Sequence, residues 1–177
     1  MQQGRSIPGF SPFPKKQFAA AAATLAATVA AAVIPPPAAG RELQGRLGIG
    51  YNSEFANGAV PSLSLKYALA RDLGTELVLG VNTATPTSTV GAFKLSKGLF
   101  FETNLNLSAF AGAGMVAVNG NSGFEGLAGF ALEFFIPGLE SVGFTSDMGV
   151  SLGNGSGSFA LRTLGVSFLN AGIHFYF

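Results

Sequence analysis

The sequence has no cysteine, no tryptophan, a single histidine and few charges: Asp, Glu, Lys and Arg make up 11% of its 177 residues. Without thiols there is no disulfide framework, no cysteine nucleophile and no thiolate metal centre. No residues stand at metal-ligand spacing, so no metal or other cofactor is expected. A soluble domain carries roughly 25% charged residues. With less than half of that, and with 48% hydrophobic residues, much of the exterior is expected to face lipid rather than water. No basic patch accompanies the formal net charge of +1, which excludes nucleic acid as the expected partner. Glycine is plentiful, but no glycine-rich stretch has the form of a phosphate cradle.

A helical pattern is missing after residue 40. Ahead of it, Met1 to Gln17 is polar and carries Arg5, Lys15 and Lys16; Phe18 to Ile34 is an unbroken, mostly alanine run; Pro35, Pro36 and Pro37 end it, and Ala38-Ala39-Gly40 follows. A basic start, an apolar centre and a small-residue exit describe a secretory signal peptide, here residues 1–39, removed by cleavage. The alternative is a retained membrane anchor, which the length of the run permits. The weak apolarity of alanine and the proline block at the exit favour cleavage. The basic region is longer than usual, which leaves room for a start downstream of Met1. Residues 40–177 then form one domain whose seven basic and nine acidic side chains give a net charge of −2.

This remainder alternates between apolar and polar residues in segments broken by Gly, Asn, Pro and Ser, the period of half-buried strands. Leu43 to Tyr51, Ser62 to Leu69, Glu76 to Asn82, Thr89 to Ser96, Thr103 to Ala117, Phe124 to Phe134, Ser141 to Leu152 and Ser158 to Phe177 are the expected strands. The expected turns and loops are Asn52 to Gly58, Arg71 to Gly74, Thr83 to Ser88, Lys97-Gly98, Asn119 to Gly123, Pro137-Gly138 and Asn154 to Gly157. The last segment is too long for one strand in phase, so a bulge or register change is expected near Ser167 to Leu169.

The end of the chain is the most informative stretch. Leu169, Ala171, Ile173, Phe175 and Phe177 share one face; Asn170, Gly172, His174 and Tyr176 share the other. A terminal aromatic on the apolar face suits the interfacial girdle of a membrane barrel. About eight strands, each near the ten residues that a tilted membrane strand needs, give an even number for antiparallel closure. Lipid offers no partner to an open sheet edge, so the strands must close on themselves. The fold expected is all-β: a single antiparallel transmembrane up-and-down β-barrel.

With the apolar face outward, the charges fall in turns or inside the barrel. Arg46, Lys66, Lys94 and Arg162 point inward, as do Glu76, Glu102, Glu125, Glu133, Asp147 and His174. Mixed signs point to paired charges rather than to an ion path of one sign. An eight-stranded barrel is only just wide enough for its own side chains, so a packed polar interior is the first expectation. A narrow pore for small or hydrophobic solutes, with a Lys/Glu switch, is the alternative.

The leader, the alternating strands, the short turns at one end and the terminal His174-Phe175-Tyr176-Phe177 together resemble the small bacterial outer-membrane β-barrels of the OmpX, OmpW and OmpA transmembrane-domain type, over Glu42 to Phe177. The resemblance implies residence in the bacterial outer membrane among lipid and lipopolysaccharide. It further implies delivery by periplasmic chaperones and the barrel insertion machinery, for which Phe175, Tyr176 and Phe177 would be the insertion signal, and a monomeric state. Unlike members with long outer loops, this chain has short ones, which weighs against an adhesin or receptor role. Some barrels of this size, the lipid A deacylases and palmitoyltransferases, use a His with a Ser and a carboxylate. Here the deacylase pattern of His, one residue, then Ser-Asn is absent, and His174 falls at the periplasmic end, away from lipid A. A non-enzymatic envelope role is the reading, with the pore second and a lipid-modifying enzyme third. Outside this class, a soluble barrel with its faces reversed around an apolar ligand is opposed by the low charge count and the terminal Phe.

Overall fold

A computed structural model describes residues 42–55, 60–154, 159–164 and 170–177. The expected leader, residues 1–39, lies outside them.

The described chain is built of strands alone: β1 (Leu47–Asn52), β2 (Ser62–Ala70), β3 (Leu73–Asn82), β4 (Ser88–Glu102), β5 (Leu105–Val118), β6 (Asn121–Phe135), β7 (Val142–Gly153), β8 (Ala160–Thr163) and β9 (Asn170–Tyr176). Each strand pairs antiparallel with its neighbours, β1 pairs with β9, and β6 pairs with β7, so the sheet closes. Both β8 and β9 pair with β7, at its two ends. They share the eighth position, and the barrel has eight strands around its girth.

Two expectations about the strands need correcting. Lys97-Gly98 is not a turn. β4 runs through it to Glu102, and the chain reverses at Thr103-Asn104. The register with β5 instead slips between Gly98 and Phe100, where Gly98 opposes Ser108 but Phe100 opposes Leu107. The ring of Phe101 occupies the space a side chain at Gly98 would need, with its Cζ 2.1 Å from where a Cβ would stand. The loop at Asn119 is also tighter than expected. Asn119 (φ 50°) and Gly120 (φ 79°) form a two-residue hairpin turn, both in the left-handed region that such turns require.

On the eighth strand, Thr163 to Asn170 covers seven residue steps opposite the three between Val150 and Asp147. The irregularity expected at Ser167 to Leu169 itself lies outside the described residues. Both termini of the barrel meet at one mouth, where the Phe177 amide donates to the Leu47 carbonyl at 2.9 Å. This is called the terminal mouth here, and the opposite end the loop mouth.

Alternation sorts the two faces as the period of two demands. Leu63, Leu77, Leu79, Phe93, Leu95, Met115, Phe130 and Phe144 are exposed on the outside. Aromatics gather outside near the terminal mouth, where Phe134 pairs with Phe144 and Phe175 pairs with Val142. Ser62, Ser64, Glu76, Lys94, Glu133, Asp147 and His174 are buried within. So continuous an apolar exterior is foreign to a soluble monomer and is what a membrane-type barrel presents.

Candidate functional site

The interior is the place where this chain could act, and it has two storeys. The half toward the loop mouth is largely apolar: Phe55, Val60, Val78, Val90, Val116, Leu127 and Leu164 are buried together, with Glu125 a buried polar exception. This was not expected from the polar look of the inward face. Two of these residues, Phe55 and Val60, lie between β1 and β2, and both are buried inside the barrel. A side chain that enters from a connecting segment leaves no periodic signal in the sequence, so the plug was invisible there.

The same segment carries Glu54, the residue of the site that sequence reasoning missed. Its place in a loop left it outside the expected lumen cluster, yet it is 0% exposed. Glu54 follows Asn52, whose side-chain oxygen accepts the Glu54 amide at 2.9 Å. That local turn aims the carboxylate down the barrel, where Lys94 Nζ meets Oε2 at 2.5 Å. Lys94 also reaches Glu76 Oε2 at 2.9 Å and lies 4.4 Å from the centre of the Phe110 ring. An ammonium with two carboxylates and an aromatic face closes the base of the apolar storey. A charge is buried only where it is paired in this way.

Below it runs a connected polar network. Glu76 Oε1 accepts from Asn52 Nδ2 at 2.9 Å and from the Ser64 hydroxyl at 2.6 Å. The Ser64 oxygen lies 2.8 Å from His174 Nε2, and His174 Nδ1 lies 3.4 Å from the Thr145 hydroxyl. Thr145 and Lys66 converge on Glu133: Lys66 Nζ stands 3.3 Å from Glu133 Oε1 and 3.2 Å from Thr145 Oγ1. The Tyr176 hydroxyl donates to the same Glu133 oxygen at 2.5 Å. On the other side, Asn170 bridges Ser53 and Asn52. The network thus ties β1, β2, β3, β6, β7 and β9 together across the lumen. Beside it lies a cavity of about 90 Å³ lined by Lys66, Glu76, Lys94, Glu133, Asp147 and Tyr176 among others. That is room for a few water molecules.

Of the ten residues expected in the lumen cluster, six meet here: Lys66, Glu76, Lys94, Glu133, Asp147 and His174. Glu125, fully buried on β6, and Arg162, half-buried on β8, stand toward the loop mouth. Arg46 precedes β1 at the terminal mouth and is half-buried. Glu102 does not point inward: it is exposed and paired with Leu105. The slip at Gly98 is the reason, because one extra residue turns every later side chain to the opposite face. Phe101 therefore takes the inward-facing place opposite Asn106. Among the residues of the expected insertion signal, Phe175 and Phe177 face outward, Phe177 with 76% exposure, and Tyr176 faces in.

The Ser64–His174 contact has the distance of a nucleophile and its base, but not the direction. The Ser64 proton goes to Glu76, which leaves His174 Nε2 as the donor to Ser64 rather than the acceptor of its proton. Both residues are 0% exposed.

No family model matches the sequence, and no curated protein matches it. In three dimensions the chain is similar to the crystal structure of the N-terminal β-barrel domain of Pseudomonas aeruginosa OprF, with a TM-score of 0.57 and 13% sequence identity over 76% of this chain and 98% of that one. At this identity the likeness is one of fold. The chain shares with that domain a closed eight-stranded antiparallel barrel, which its alternation and terminal strand anticipated.

Proposed function

We propose that this protein is an integral outer-membrane barrel with a closed, charge-paired lumen, and that its role in the bacterial envelope is structural rather than enzymatic. The observation that carries this reading is the filled interior. Phe55 and Val60 are folded in above the Lys94–Glu54–Glu76 group, so an ion crossing the barrel would have to displace both an apolar plug and a buried ion triad. The apolar exterior and the likeness to the OprF barrel domain support an outer-membrane setting, with lipid and lipopolysaccharide around a monomer. Phe175 and Phe177, on the outside of the closing strand, are suited to recognition by periplasmic chaperones and the insertion machinery, with Tyr176 holding that strand from within through Glu133. The buried Ser64 and His174 speak against lipid modification.

The polar cavity at the terminal half favours a second reading, a narrow pore for small solutes. Planar-bilayer recording on the full chain separates the two. The structural reading expects no steady conductance from the wild type. Steps of fixed size that change with Lys66→Ala or Glu133→Ala would replace it with the pore.

A further inference from the structure

The plug above the polar storey is tied to the barrel wall at Glu54. Phe55 follows it directly, and the two are 0% and 3% exposed. The Glu54 carboxyl meets Lys94 Nζ of β4 and, on β7, the side chain of Asp147. Asp147 is 1% exposed, and among the described residues no hydroxyl, amide or ring nitrogen donates to either of its carboxylate oxygens. The hydrogen bond it makes is with the Glu54 carboxyl. Two carboxylates are both acceptors, so that bond exists only if one of the pair carries a proton. The charges agree. Glu54, Glu76, Glu133 and Asp147 surround two ammonium groups, of which Lys94 is shared between Glu54 and Glu76 and Lys66 pairs with Glu133. Two carboxyl groups in contact away from water cannot both ionise.

We infer that Glu54 and Asp147 hold one proton between them, and that this proton latches the plug to the barrel wall. When it leaves, two carboxylates face each other across the former bond. Glu54 then withdraws and takes Phe55 and Val60 out of the core they share. The proton passes to water in the adjoining cavity, which Asp147 lines. The closed plug thus binds one proton more than the open one, whose solvated carboxyl groups are ionised at neutral pH. Closure therefore weakens as pH rises. The surrounding groups do not supply this response. Histidine ordinarily titrates below about pH 7, and tyrosine and lysine at about 10 or above, so His174 and Tyr176 on β9, Lys66 on β2 and Lys94 on β4 hold their charge state in between. Glu76 on β3 and Glu133 on β6 are each paired with an ammonium, and Glu125 on β6 and Arg162 on β8 stand nearer the loop mouth. The latch rests on the reading of the lumen as closed at neutral pH.

The chain has no cysteine, so a single engineered thiol reports on the plug. Val60→Cys in the full chain, folded in uncharged detergent, is labelled with a maleimide between about pH 7.5 and 9.5. Ala84→Cys, exposed in the loop after β3, is the reference that corrects for thiol ionisation. The ratio of the two rates should be far below one at the lower pH and rise by up to about tenfold per pH unit once the proton leaves. Asp147→Asn, added to Val60→Cys, should stay protected throughout, because its amide donates to Glu54 without a proton to lose. If that variant does not fold, Glu54→Gln, which donates to Asp147 in the same way, takes its place. A ratio that stays low at every pH overturns the latch and leaves the closed lumen standing. A rise that the amide variant retains overturns the latch equally. A ratio near one at the lower pH overturns the closed-lumen reading itself, and the latch with it.

Discussion

Replacing Lys94 with methionine tests the lumen most sharply. Lys94 is 4% exposed and contacts Glu54 at 2.5 Å, Glu76 at 2.9 Å and the Phe110 ring at 4.4 Å. Methionine keeps the length and apolar stem of the side chain, so little is lost to an empty space. What is lost is the charge, and it leaves Glu54 and Glu76 facing each other in a water-poor interior. Breaking a buried pair in this way costs about 3–5 kcal/mol; the lost contact with Phe110 adds up to about 2 kcal/mol. With a urea dependence of about 2 kcal/mol per molar, the midpoint should fall by roughly 2 M. The assay is urea unfolding in detergent micelles by circular dichroism, because a chain without tryptophan gives little fluorescence signal. The double variant Lys94→Met, Glu54→Gln removes one of the two orphaned charges and should recover at least half of the loss. A single variant within about 1 kcal/mol of wild type, or a double variant that recovers nothing, would refute the view that this triad holds the plug in place.

Further outcomes follow from neighbouring features. Gly50→Ala should abolish the closed barrel, seen as loss of the heat-sensitive fast band on gels, because its Cβ would stand 1.9 Å from the Ile173 carbonyl at the β1–β9 seam; Gly91→Ala, with nothing within 4 Å of its Cβ, should instead stabilise by roughly 0.5 kcal/mol in the same urea assay. Tyr176→Phe removes a hydrogen bond to a charged acceptor and should cost about 1.5–3 kcal/mol in urea unfolding. At the β2–β3 turn, the hydrogen bond from Lys97 holds the Asp72 carboxyl below its ordinary range. A lowered value contributes stability above the unfolded carboxylate range and loses it as pH falls through the folded value. The small gap between wild type and Asp72→Asn should therefore be present at neutral pH, close under acid conditions, and shrink in high salt.

The sequence by itself determined which face of each strand is apolar, that the strands are about eight, and that they close. These follow from a period of two, from turn residues, and from the rule that lipid leaves no sheet edge unpaired, all of which are local or general. Lys66, Glu76, Lys94, Glu133, Asp147 and His174 were legible as inward residues for the same reason: each keeps the phase of its strand. Tertiary structure decided the rest. The slip at Gly98 turned Glu102 outward, and it depends on how Phe101 packs over a neighbouring residue rather than on any composition signal. Phe55 and Val60 fill the loop half of the lumen, and Glu54 meets Lys94, because the described residues after β1 turn inward instead of outward. That choice is set by the space the other strands leave, and by a lysine forty residues along the chain. No periodicity records such a contact. Partners distant in sequence meet only once the barrel has closed.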